Sequence, residues 1–517
     1  MLTQTDTHFA TDARGTEADV CLIVEGCYPF VSGGVSTWLD WLMRTQPSLT
    51  FHVVAIVSDE APRVSRYAPP SNLISLQRLV LHPPVAKRSR GTAASVAESA
   101  ELANAMLALL KPSGGFDALS HLIRVIRTDG CTPTLTDLKA SETSWDAIVK
   151  MYQALMPQAS FLHFYWAWQA LFGGLFSVLL FPLPRARIYH TISTGYAGLL
   201  AARAAAETGR PAILTEHGIY TNERRIEILM AEWIADTVQK GIAADERIDL
   251  RDLWTKAFES FARACYEACT DITTLYRDNQ RLQLALGAER EKLSVIANGI
   301  DPARFGRLPV ASHDTPPTLA LIGRVVPIKD VKSFISAAAL LRRQIPDLCA
   351  LVLGPLDEDP AYADECSELI RELALEDCVR LLGTVNIVDY MPRIHVVVLS
   401  SLSEAQPLAL LEAGAAGIPC IATDVGACRE IIEGSAEEQP RLGPGGYVTG
   451  LVAPSEIAAA AKRLLESEDL RRTMGETLRQ RVRRYYDSGQ ASSNYHLLYE
   501  RRGARTSGAR ELEGSQQ

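Results

Sequence analysis

Thr318-Leu-Ala-Leu-Ile322-Gly323-Arg324-Val325-Val326-Pro327-Ile328-Lys329-Asp330 decides how this chain is read. Leu319 to Ile322 is a short apolar strand. Asp330 to Ile345 then carries Val331, Phe334, Ile335, Ala338, Leu341 and Ile345 on one helical stripe. The alternation continues with a strand at Ala350–Leu353, a helix at Ala361–Leu375 and a strand at Val379–Leu382. A short helix near Val388, a strand at Val396–Leu399, a helix at Leu408–Ala416 and a strand at Cys420–Thr423 follow. Short apolar strands separated by amphipathic helices predict βαβ units and a doubly wound parallel sheet. Ligands of such a fold bind beyond the carboxyl ends of the strands.

The N-terminal half repeats the pattern less regularly. Asp19–Val24 and Phe51–Val57 read as strands flanking a helix at Val35–Met43, and Arg187–Thr191, Gly195–Thr208 and Pro211–Thr215 form another βαβ unit. The expected organisation is a polar, disordered stretch at 1–18 and an α/β domain at 19–307 with a helical insertion near 61–159. A second α/β domain at 308–480, a helix at 481–500 crossing back to the first domain, and a disordered tail at 501–517 complete it.

At 517 residues the chain is too long for one ordinary core. Its 47% hydrophobic and 22% charged content is that of a soluble globular protein, and a net charge of −9 disfavours nucleic acid as a partner. The ten cysteines show no C-x-x-C or zinc spacing, which suits reduced thiols in a cytoplasmic protein. No apolar signal segment opens the sequence. Residues 151–184 contain no Asp, Glu, Lys or Arg, but His163, Gln169, Gly173-Gly174, Pro182 and Pro184 interrupt them. A helix-plus-strand core is therefore favoured over a membrane span of about 20 residues.

The chemistry-bearing residues gather after strands. Arg324 and Lys329 flank a strand-to-helix turn, where two cations and a helix N-terminus suit a diphosphate leaving group. Ser403-Glu404-Ala405-Gln406-Pro407-Leu408-Ala-Leu-Leu-Glu412 follows another strand, with Pro407 able to open a helix. Carboxylates there accept hydrogen bonds from sugar hydroxyls. Pro29-Phe-Val-Ser-Gly33-Gly34-Val35 is a glycine turn that lets a ligand approach the backbone, and it is not a G-x-G-x-x-G dinucleotide loop. His217, in Thr215-Glu-His-Gly218, ends a strand where it could hydrogen-bond a sugar hydroxyl or the acceptor, although lone histidines are more often structural, and for the Asn298-Gly299 turn a turn-only role is at least as well supported as ligand contact. Asp357-Glu358-Asp359 resembles a divalent-cation triplet but precedes Pro360 in a solvated loop, so no metal or other cofactor is expected.

Together, Gly33-Gly34, His217, Asn298-Gly-Ile-Asp301, Arg324…Lys329 and Glu404…Glu412 resemble the retaining glycosyltransferases of family 4, which have the GT-B architecture of two Rossmann-like domains facing a cleft. Val24-Glu-Gly-Cys-Tyr-Pro-Phe-Val-Ser-Gly-Gly-Val-Ser36, Glu216-His-Gly-Ile-Tyr220 and Ile322–Asp330 resemble, more narrowly, the cytosolic transferases of Pel-type exopolysaccharide synthesis. The resemblance implies a UDP-sugar donor, a polysaccharide acceptor and membrane-bound synthase partners. Arg324 and Lys329 would hold the diphosphate, Glu404 the donor sugar, Glu412 the ribose, and His217 would line the sugar site. Gly33 and Gly34 would lie near phosphate or acceptor. The family commonly has Glu-Gly-Phe-Gly where this chain has Glu404-Ala405-Gln406-Pro407, which leaves Gln406, Pro407 and Leu408 to make that loop's contacts. A non-catalytic nucleotide-sugar-binding subunit, an epimerase and a phosphorylase are the competing readings.

Overall fold

The computed structural model describes residues 15–31, 33–84, 99–127, 133–230, 249–312 and 314–514. Of the stretches expected to be disordered, residues 1–14 of 1–18 and 515–517 of 501–517 lie outside them. Two compact units are formed: Met1–Thr274 with Gln280–Ser294 and His496–Gln517, and Leu275–Asn279 with Val295–Tyr495.

In the first unit, β1 (Ala18–Glu25), β2 (Phe51–Val57), β3 (Leu73–Val80), β4 (Ala186–Thr191), β5 (Ala212–Glu216), β6 (Cys269–Thr274) and β7 (Leu293–Val295) form one sheet. Their order is β3-β2-β1-β4-β5-β6-β7, and the pairs from β3 through β6 are parallel. β2 and β5 are buried along their whole length, as continuous apolar runs require of strands covered on both faces. The span from residue 61 begins with the edge strand β3, whose Leu-Ile-Ser-Leu-Gln-Arg-Leu-Val mixes apolar and polar positions, before its helices start.

The helical layer runs on past residue 159 into Phe161–Leu180. That helix buries Phe164, Trp168, Leu171, Phe172, Leu175 and Phe176 in the same core as β1 and β4 residues, which accounts for its lack of charge. Among the described residues no helix is long and apolar enough to cross a membrane.

The second unit contains β8 (Thr318–Ile322), β9 (Cys349–Leu353), β10 (Val379–Leu381), β11 (Val396–Leu399), β12 (Cys420–Thr423) and β13 (Gly446–Thr449), ordered β10-β9-β8-β11-β12-β13 and parallel throughout. From β8 the chain winds outward through β9 and β10, and from β11 it winds the other way. The switch point, where a crevice opens in such sheets, therefore lies between β8 and β11. The corresponding point of the first sheet lies between β1 and β4.

Near the C-terminus, helix Glu468–Tyr485 stops before Asp487, and a new helix spans Ser488–Gly514. Its residues from His496 onward belong to the first unit, where the Tyr499 hydroxyl meets His190 Nδ1 at 2.7 Å. Arg501 and Arg502 both pair with the Asp271 carboxylate. Composition alone gives these two arginines a solvated tail; a buried aspartate at the start of β6 supplies the partner that holds them.

Candidate active site

β8 ends at Ile322, and Gly323-Arg324 turns the chain toward the helix Val331–Arg342. The turn runs against β9's end so closely that a Cβ on Gly354 would lie 2.0 Å from the Gly323 carbonyl oxygen, and Gly354 has φ +157°. Gly354→Ala is accordingly expected to lower stability by more than about 1 kcal/mol and to displace the Arg324 turn. Thermal denaturation together with an activity assay on the variant checks this.

Lys329 closes a single 3-10 turn, Pro327–Lys329, and its Nζ donates to Glu404 Oε1. The pair is mostly buried, with side-chain exposures of 17% and 12%. Four further bonds hold the pair in place. The Ser401 hydroxyl donates to Glu404 Oε1 at 2.7 Å. The Ser400 hydroxyl donates to the carbonyls of Lys329 (3.0 Å) and Asp330 (2.9 Å), and the Leu402 N–H donates to the Ile328 carbonyl at 2.8 Å. The segments leaving β8 and β11 are thus laced together at the switch point. Asp330 occupies the left-handed region at φ 45° while its carboxylate caps the Ser333 N–H, a strained backbone of the kind that clusters at functional sites.

Arg324 lies at the same edge but points to solvent, 2.7 Å from Glu358, with about half of each side chain exposed. A pair this exposed contributes roughly 0–1 kcal/mol and leaves the guanidinium available to another anion. Asp359 caps the helix Pro360–Glu372 through the Tyr362 N–H at 3.1 Å, so Glu358 and Asp359 of the acidic triplet both have structural partners.

Gln406 is 7% exposed, and its Oε1 accepts the Asn298 backbone N–H at 2.7 Å. Gln406 Nε2 and Asn298 Oδ1 are enclosed without partners among the described residues. Two of the expected site residues therefore meet directly, through a backbone group that composition does not reveal. Pro407 precedes the helix Leu408–Ala416, whose N-terminus has no side-chain cap, and Leu408 is exposed there. Uncapped N–H groups and the helix dipole favour an anion at such an end. Gly426, at φ +53°, brings the next turn against the Glu404 carbonyl, where a Cβ would sit at 2.2 Å. Glu412 lies in the same helix. Burial raises its pKa, and Arg304 opposes the rise.

In the first unit, Gly33 precedes and Gly34 opens the helix Gly34–Arg44. The Gly33 backbone is extended, no side chain caps the helix, and a Cβ at either glycine would meet nothing within 4 Å. This chain's own packing does not demand glycine there. The open N-terminus is the feature that a ligand would use.

His217 follows β5 and stands edge-on to Trp38, ring centroids 4.7 Å apart. Its Nε2 is enclosed without a partner among the described residues, and burial pushes its pKa down to about 4. Fully buried His190 bonds Tyr499 and Thr215 and is pushed down to about 3 by burial and then by the nearby His217. Both folded-state values lie below the unfolded value of about 6.5, so their contribution to stability is present above pH 6.5 and lost as pH falls toward 4. Burial raises Glu216 to about 7, so its contribution is fully present below its unfolded value and is lost as pH rises through 7. Two histidines outweigh one glutamate. The urea midpoint is expected to fall between pH 6.5 and 4, and to fall less in His217→Gln. An identical slope in that variant removes His217 from the explanation.

Sequence reasoning passes over Ser400, Ser401 and Gly426, which hold the Glu404 loop, and Glu25, Glu216 and Tyr220, which hold the turn that carries His217. The serines follow an apolar strand within four residues of Glu404, and that position was the available signal.

Residues 18–291 match the family described as a domain of unknown function, DUF3492, and residues 307–481 match glycosyl transferases group 1. N-acetyl-alpha-D-glucosaminyl L-malate synthase of Bacillus anthracis is 31% identical over 173 residues, which are 33% of this chain and 42% of that protein. D-inositol 3-phosphate glycosyltransferase of Kineococcus radiotolerans is 31% identical over 210 residues, 37% of this chain and 47% of the relative. The chain thus spans about half the length of the curated relatives it matches. Sucrose-phosphate synthase from Thermosynechococcus elongatus superposes with a TM-score of 0.57 at 16% identity, covering 94% of this chain and 99% of that one. HepE of Anabaena, solved in complex with UDP-glucose, gives a TM-score of 0.52 at 14% identity, covering 94% and 100%. At these identities the likeness establishes the fold: two Rossmann-like parallel-sheet domains of GT-B type.

Proposed function

Because the chain belongs to the DUF3492 family and continues into a glycosyl transferases group 1 domain, we propose that it is a retaining glycosyltransferase. It would move a sugar from a UDP-sugar, either UDP-glucose or a UDP-N-acetylhexosamine, to a growing exopolysaccharide. The role is that of PelF in Pel biofilm polysaccharide synthesis, at the cytosolic face of a membrane and beside a membrane-bound synthase.

The observation that carries the reading is the Lys329–Glu404 pair at the switch point of the second sheet, fixed by Ser400 and Ser401. Lys329 and Arg324 are the cations for a departing diphosphate, whose charge grows as the glycosidic C–O bond breaks. Glu404 accepts donor-sugar hydroxyls and Glu412 those of the ribose. In the first unit, Gly33-Gly34 offers backbone N–H groups to phosphate or acceptor, and His217 lines the sugar site. With attack from the leaving-group face and the departing phosphate as base, no covalent nucleophile is required. The solved HepE complexes with UDP and UDP-glucose support a UDP-sugar donor.

Two cations make a metal unnecessary in this reading, so dialysis against EDTA is expected to leave transfer unchanged. A loss restored by Mg²⁺ or Mn²⁺ overturns that part. Incubating the protein with a panel of UDP-sugars and oligosaccharide acceptors, and following both UDP and the anomeric proton of the product by NMR, tests the whole. UDP release with an axial product linkage from an axial donor is expected. Binding without turnover identifies a non-catalytic subunit. Sugar interconversion without acceptor identifies an epimerase, and a requirement for phosphate a phosphorylase.

A further inference from the structure

Glu216 ends β5 with no exposed surface, and among the described residues it has no cationic partner. A lone buried carboxylate costs several kcal/mol, and nothing in the proposed reaction so far uses it. Its oxygens have distinct tasks. Oε2 accepts the Tyr266 hydroxyl at 2.8 Å and the Gln283 carboxamide at 2.9 Å, both from fully buried side chains. Oε1 reaches forward to accept the Tyr220 backbone N–H at 3.3 Å, which closes the turn that presents His217.

The far end of the turn is held as well. The Tyr220 hydroxyl donates to Glu25 Oε1 at 2.7 Å at the end of β1, and Glu25 Oε2 accepts the Ala197 N–H at 3.3 Å across the β1–β4 switch point. The packing leaves little slack, since a Cβ on Gly195 would lie 2.5 Å from the Tyr220 ring and one on Gly218 would lie 2.3 Å from Glu223.

We propose that Glu216 is a positioning residue for His217: its carboxylate, accepting three hydrogen bonds at once, locks the 216–220 turn in the orientation that transfer requires. This rests on the glycosyltransferase reading above. The ionised carboxylate accepts all three bonds with charge assistance, whereas a proton on either oxygen leaves weaker neutral acceptors and adds a donor with no place in this set. Burial lifts Glu216 to about 7, against hydrogen bonds from Gln283, Tyr266 and Tyr220 that lower it. The titratable groups facing it are Tyr220 and Glu223 from the helix Tyr220–Met230 and Tyr266 and Cys265 from the helix Leu250–Ala268, with Cys269 of β6 next to Cys265. Burial raises the pKa of both tyrosines, and the Cys269 hydrogen bond and then burial raise that of Cys265, so these groups are neutral near pH 7, while Glu223, itself raised by burial, lifts Glu216 further through like charge.

The experiment compares wild type, Glu216→Gln, His217→Ala and the double variant. Glu216→Gln is expected to lower kcat by ~10²-fold with UDP affinity unchanged, and to lose the acid limb near pH 7. The double variant is expected to be no slower than His217→Ala. Losses that multiply in the double variant, or a Glu216→Gln enzyme with wild-type kcat and pH profile, overturn the proposal. If Glu216→Gln does not fold, Tyr266→Phe takes its place. One donor is then lost, and the acid limb is expected to move upward; an unmoved limb counts against the lock. A readout that needs no turnover separates this from failure of the glycosyltransferase reading. The His217 Hε1 NMR shift should follow a titration near pH 7 in wild type and not in Glu216→Gln, whether or not any UDP-sugar is consumed. A flat His217 shift across that range in wild type contradicts the proposal directly.

Discussion

Lys329→Ala is expected to reduce sugar transfer by about three orders of magnitude, the loss typical when a preorganised charge at a developing anion is removed. The protein should remain folded. Lys329 ends a single 3-10 turn, and the surrounding lacing of Ser400, Leu402 and Ile328 runs through backbone groups that the substitution leaves intact. Glu404 would keep its bond from Ser401 and lose its cation, in a site where it is 12% exposed. Glu404→Gln removes the same ion pair from the other side. Because the two act as a unit, the losses should not multiply in Lys329→Ala/Glu404→Gln. Steady-state UDP release from the four proteins, with circular dichroism as the folding control, checks this. Multiplicative losses would mean that the pair is incidental.

Arg481→Ala is expected to cost about 3–5 kcal/mol of stability, the range for breaking a buried ion pair by removing one partner. Arg481 and Glu438 are each 1% exposed and meet through two bonds of 2.6 and 3.0 Å. The remaining guanidinium donors satisfy the carbonyls of Ile431, Ile432 and Gly443. Alanine would strand the carboxylate and three carbonyls together. Burial raises the Glu438 pKa, but the Arg481 hydrogen bonds more than compensate and hold it below its usual range. Its stabilisation is therefore present above the unfolded value and lost as pH falls through the folded one. Urea denaturation should place Arg481→Ala well below wild type and Arg481→Met/Glu438→Leu between them, since replacing both charges strands neither. A wild-type midpoint for Arg481→Ala would show that the pair is structurally idle.

The second sheet was largely legible because β8, β9, β11 and β12 are near-continuous apolar runs bounded by turn residues, and parallel sheets covered on both faces demand that pattern. β13 was not, because Gly446-Tyr-Val-Thr449 is four residues long and opens on a glycine at φ +159°. Lys329 and Glu404, 75 residues apart, could be assigned to one donor site because each follows an apolar strand, but their direct pairing depends on the strand order that sets β8 beside β11. Glu216 could not be anticipated. A glutamate ending an apolar strand reads as a solvated terminus, and its three donors come from Tyr220, Tyr266 and Gln283, brought together only by tertiary packing. The Gln406–Asn298 bond was hidden for a related reason, since one partner is a backbone amide whose position no side-chain pattern encodes.

The most direct measurement is UDP formation from a UDP-sugar panel in the presence of oligosaccharide acceptor, for wild type beside Lys329→Ala. Acceptor-dependent UDP release by wild type from at least one UDP-sugar, reduced about a thousandfold in Lys329→Ala, is the predicted result. Equal release by both proteins, or none from any donor by folded wild type, contradicts a transferase built on the Lys329–Glu404 pair.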